Sequence, residues 1–205
     1  MNGFKLALIA SAAACALQAH ALTTTVTYGS TSAEPGAVTI DFDSAPPAGW
    51  SYSGGALFTS NIGGVTAQPP GSTGNFWSIG TSGGQDGPGV VALAGGASYY
   101  GFLWGSPDTY NTVSFYDGAT LLGSFTGAAV WPPANGDQSI GRFFNAYAGS
   151  GETITSIMFT STGNAFETDN HAVVAVPEPE TYALMLAGLA ACSQNARYRA
   201  WITAT

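Results

Sequence analysis

The chain has 205 residues, 45% of them hydrophobic and 12% aromatic, with 8% charged and a formal net charge of −8. Twelve acids against four bases exclude a nucleic-acid surface or an anionic-lipid surface, because both need clustered Lys and Arg. The aromatic and β-branched content is too high for a disordered chain.

Residues 1–21 read as a secretory signal peptide. Lys5 is the positive start, Leu6 to Leu17 the apolar run, and Ala19-His20-Ala21 the small-x-small cleavage site. With it removed, Cys192 is the one cysteine, so the folded part carries no disulfide and must be held by burial. Residues 22–176 have the length of one domain, with ten acids and a single base, Arg142.

Short runs of β-branched and aromatic residues then alternate with Gly, Pro, Asn, Asp and Ser clusters. Strands are predicted at 23–28, 38–42, 56–61, 76–79, 90–94, 99–104, 112–116, 121–126, 142–147, 154–160 and 171–176. The sharpest hairpin signal is Thr112 to Phe125, where Val113 and Phe115 alternate with Ser114 and Asp117-Gly118 supplies a positive-φ turn residue. No helical period of useful length occurs in this part. The pattern predicts an all-β fold, an antiparallel β-sandwich of jelly-roll-like type. Trp50, Trp77, Trp104 and Trp131 recur at a fixed spacing, but their neighbours share nothing, so no repeat is inferred.

Past the domain the composition changes. Pro177-Glu178-Pro179 is stiff and extended. Tyr182 to Cys192 is apolar and made of good helix formers, predicting a short C-terminal helix. Arg197 and Arg199 follow, and residues 200–205 trail behind. Handle, apolar helix and basic stop make an address label rather than a domain.

Pro177-Glu178-Pro179, Tyr182 to Leu189, Arg197 and Arg199 together resemble the PEP-CTERM sorting signal. Tyr99 to Asn111, the hairpin, and Ser161 to Asn170 are in turn similar to exosortase-dependent surface proteins. The resemblance implies export and transient insertion in the inner membrane of a Gram-negative bacterium. Processing by an exosortase and a place at the cell surface or in an extracellular polysaccharide matrix would follow. This tail departs from the pattern and reads as truncated or frameshifted. Eleven apolar residues make a helix of about 16 Å, against ~30 Å of bilayer hydrocarbon.

Catalytic chemistry finds little support. The mature chain has one histidine, His171, whose nearest acid, Asp169, lies two residues away on the same strand. No G-x-S-x-G elbow exists, and no two of the ten acids stand out as a glycosidase pair. Asp41, Asp43, Asp169 and Asn170 are candidate ligands for Ca²⁺, an all-oxygen set for a hard cation, with turn capping as the competing role. Tyr99, Tyr100, Trp104, Tyr110 and Trp131 are candidate glycan-stacking residues, with core packing as the alternative. The sequence therefore reads as a non-catalytic, structural or adhesive surface protein. A carbohydrate-binding module and, more remotely, a glycan hydrolase are the rival readings.

Overall fold

The computed structural model describes residues 22–177 and 184–187. The signal peptide, Glu178, Pro179, Arg197 and Arg199 lie outside the described residues. Eleven strands run in chain order: β1 Thr23–Thr27, β2 Val38–Ile40, β3 Trp50–Ser53, β4 Ala56–Phe58, β5 Phe76–Ile79, β6 Gly89–Gly105, β7 Asn111–Asp117, β8 Thr120–Thr126, β9 Gly141–Tyr147, β10 Ile154–Ser161 and β11 Phe166–Ala175. Every strand pairing is antiparallel. The fold is a β-sandwich, as the strand-and-turn pattern predicts.

One strand organises the two layers. The sequence reading splits β6 at Gly95-Gly96, but the strand runs unbroken through both glycines, which adopt φ +106° and +70°. Only glycine enters that region freely, so the pair bends the strand without ending it. Before the bend, β6 pairs with β3 and β10, and β10 passes the ladder on to β7 and β8. After it, β6 pairs with β9 and β11. The outer neighbours there are β1 beside β9, and β2 and β5 beside β11. A single strand thus belongs to both sheets.

The hairpin forms as the alternation requires. Asp117 pairs with Thr120 across Gly118-Ala119, and Gly118 has φ +55°. Trp50–Ser53 was not anticipated as a strand. Its four residues alternate Trp-Ser-Tyr-Ser, too short a run to stand out between glycine clusters, and it forms because β6 offers an edge.

The core lies between the layers and is mostly aromatic. Phe102 meets Phe159 edge to face at 5.1 Å, and Trp104 stacks on Phe166 at 4.2 Å. A smaller cluster of Tyr99, Leu103, Phe143 and Ala172 fills the other face of the second sheet. Consecutive β6 residues therefore bury both ways, and the segment reads as a nearly continuous apolar run. The last described strand closes on this frame. The Val176 amide donates to the Gly96 carbonyl at 3.1 Å. An apolar groove of about 590 Å³, lined by Trp50, Leu93, Gly95, Val174 and Pro177, opens at the same corner. Residues 184–187 form a helical turn whose Leu184, Met185 and Leu186 are exposed. Among the described residues no helix is long and apolar enough to cross a membrane.

Candidate functional site

Three buried ionisable groups, Glu167, Asp169 and His171, sit along β11, where Phe166 to His171 passes through the centre of the second sheet. His171 is fully buried and ringed by aromatic side chains, with Phe42 at 4.9 Å and Tyr100, Phe102 and Phe159 each at 5.6 Å. Its two nitrogens have different partners. The Thr168 hydroxyl donates to the Trp77 carbonyl at 3.3 Å, so it accepts from His171 Nε2–H at 2.9 Å. Nδ1 is then the acceptor, and the Tyr100 hydroxyl donates to it. Loss of water around the ring lowers its pKa to about 3, so the imidazole is neutral. It packs as a core residue and meets no carboxylate among these partners.

Glu167 points the other way along the same strand. Its Oε1 accepts from the Ala67 amide at 2.9 Å and its Oε2 from the Ser106 hydroxyl at 2.7 Å. Burial raises its pKa to about 7, although those hydrogen bonds favour the ionised form. Both oxygens are engaged, and the side chain ties two loops to the sheet.

The proposed calcium ligands are brought near one another but do not form a cage. Burial raises the pKa of Asp169 to about 6, and the charges of Asp43 and Asp41 add to the shift. Asp169 Oδ1 accepts from the Asn170 amide at 2.7 Å, while its buried Oδ2 has no hydrogen-bond partner. The other members are occupied by local structure. Asp41 Oδ1 accepts from the Asp43 amide, Asp43 Oδ1 from both nitrogens of Asn75, and Asn170 donates to the Ser30 carbonyl. Among the described residues no group of three or more His, Cys, Asp or Glu is placed to hold a metal ion.

The glycan candidates divide sharply. Tyr99, Tyr100 and Trp104 have exposures of 2%, 0% and 0%. They are core residues with no face to offer a sugar, because both faces of this sheet are covered. Tyr110 is half-buried, its ring against Gly163 and its hydroxyl donating to the Asn164 carbonyl at 2.9 Å. Trp131 lies on the loop after β8, half-buried.

Trp131 has partners that the sequence reading passed over. The Arg142 guanidinium carbon lies 4.2 Å from the Trp131 ring centroid and 4.5 Å from that of Tyr28. The cation is thus flanked by two aromatic rings. Three elements set this geometry. Thr27 pairs with Phe143, so Tyr28 emerges from the end of β1 beside Arg142 at the start of β9. Trp131 is delivered by the loop after β8, fixed by the hydrogen bond its backbone N–H donates to the Gly127 carbonyl at 3.0 Å and by buried Val130 and Ala134 on either side. Tyr28 is 82% exposed. The sequence signal was present in Arg142, the single base of residues 22–176.

No family profile matches the chain, and no curated protein matches it. One solved structure, the K2 cleaved adhesin domain of Lys-gingipain (Kgp), is similar at 14% identity with a TM-score of 0.44. The match covers 69% of this chain and 99% of that one. A likeness at that level carries nothing about ligand or activity.

Proposed function

We propose that this protein is a non-catalytic, structural or adhesive component of a bacterial cell surface or extracellular polysaccharide matrix. An exosortase acting on the segment after Val176 would deliver it there. The observation that carries the reading is where the chemistry sits. His171, Glu167 and Asp169, the side chains an enzyme of this composition would draw on, are sealed in the interior, two of them with fixed hydrogen-bond partners on both polar atoms. A hydrolase needs its acid and base in reach of a substrate. Export and sorting rest on the resemblance of Pro177-Glu178-Pro179, the apolar run and the two arginines to a sorting signal.

Intact mass and fractionation of the native protein test this. A surface-bound or released form ending near residues 177–180 is expected. A full-length form held in the inner membrane or free in the periplasm would overturn it.

A further inference from the structure

We propose that Tyr28, Arg142 and Trp131 form a binding site for glycans bearing carboxylates, that is, uronic-acid polymers. The proposal deepens the matrix reading above and rests on it for the biological setting, while the geometry stands by itself.

A guanidinium that lies over two aromatic rings meets them without using its N–H donors in conventional hydrogen bonds. Arg142 Nη1 donates to its neighbour's carbonyl, that of Gly141, at 2.7 Å, which fixes the rotamer. Its partner there is a neutral oxygen and not a carboxylate, in a domain with ten acids. Asp137, the nearest acid in sequence, instead accepts from the Ser139 amide and hydroxyl at 2.9 and 2.7 Å. Among the described residues Arg142 makes no other side-chain hydrogen bond, so the one base of the domain has donors to spare. A planar fork of parallel N–H groups suits a bidentate carboxylate.

The rings supply the second half of recognition. Tyr28 turns an open ring face to solvent, the surface on which the C–H face of a pyranose stacks. Arg142 lies over the other face of that ring. A uronic-acid chain with one residue stacked on Tyr28 therefore brings the carboxylate of the next residue past the rim of the ring to the guanidinium edge. A neutral sugar would use the stacking face and leave the fork unfilled. A polyphosphate such as nucleic acid finds one cation here where it needs many. The net charge of −8 repels a polyanion at range, but at physiological salt that repulsion is screened beyond about 8 Å.

Calorimetric titration of the full chain with oligogalacturonides tests the site. EDTA is present so that cation bridging between acidic groups contributes nothing. Fully methyl-esterified oligogalacturonides and single-stranded DNA serve as controls. The acid form is expected to bind at least about tenfold tighter than the ester. Arg142→Lys keeps the charge and loses the fork, and should weaken binding about tenfold. Tyr28→Ala, at a position 82% exposed, should weaken it several-fold. Equal binding of acid and ester, equal binding of DNA, no binding at all, or Tyr28→Ala binding like wild type would each overturn the proposal. None of these outcomes depends on where the protein resides, so the site fails or stands separately from the matrix role.

Discussion

At the scale of single residues, β11 concentrates the pH response. Glu167 keeps its proton up to about pH 7 in the fold, against 4.5 for an ordinary glutamate. Between those values the native state holds a proton that the unfolded chain releases, so stability falls as pH rises. Glu167→Gln keeps an acceptor for Ala67 and turns an amide toward the Ser106 hydroxyl. We expect it to unfold like wild type at pH 4 and to be more stable by about 1–2 kcal/mol at pH 8, measured by urea titration. Asp169 raises the same issue in another form, since its Oδ2 is buried, unpartnered and near two more acids. Asp169→Asn retains the Oδ1 acceptor and removes the charge. It should raise the melting temperature at pH 8, and a fall there would show that the charge itself is needed.

At the scale of elements, the bend in β6 makes a sandwich from what is otherwise one ladder. A Cβ on Gly96, at φ +70°, would clash with Thr153 Cγ2. Gly96→Ala should cost about 2–4 kcal/mol by thermal or chemical melting. The comparison is Gly118, whose added Cβ meets nothing within 4 Å at φ +55°, so that Gly118→Ala carries only the backbone penalty of about 1 kcal/mol. Strands were legible wherever apolar residues alternated between turn signals, as in Thr112 to Phe125. The double glycine reads as a break because its sequence signature is the same whether a strand ends or bends. The candidate site was legible only in part. The aromatics of the predicted strand 99–104 are legible as strand residues, but a period-two reading cannot show that a sheet is covered on both faces. Tyr28 and Arg142 are far apart in sequence, and the β1–β9 register that joins them has no local signal.

For the whole molecule, the three buried groups combine into one profile. His171 binds its proton only below about pH 3 in the fold, so its contribution is lost as pH falls from 6.5 toward 3. Asp169 and Glu167 act oppositely, with losses as pH rises through 3.8–6 and 4.5–7. Two losses outweigh one gain between pH 4.5 and 6. Stability should therefore peak near pH 4 and fall by on the order of 2 kcal/mol by pH 6. A melting series across that range checks this, and a maximum near neutrality would show that the buried carboxylates are ionised at little cost.

The route by which the chain leaves the domain has a mechanical consequence. β11 is flanked along its length by β6 on one edge and by β5 and β2 on the other, and Val176 is still tied to Gly96 where it exits. A pull on the C-terminal end would drag this interior strand lengthwise, loading its ladder bonds together instead of peeling them one at a time. Any load applied at that end is therefore carried by a strand paired along both of its edges.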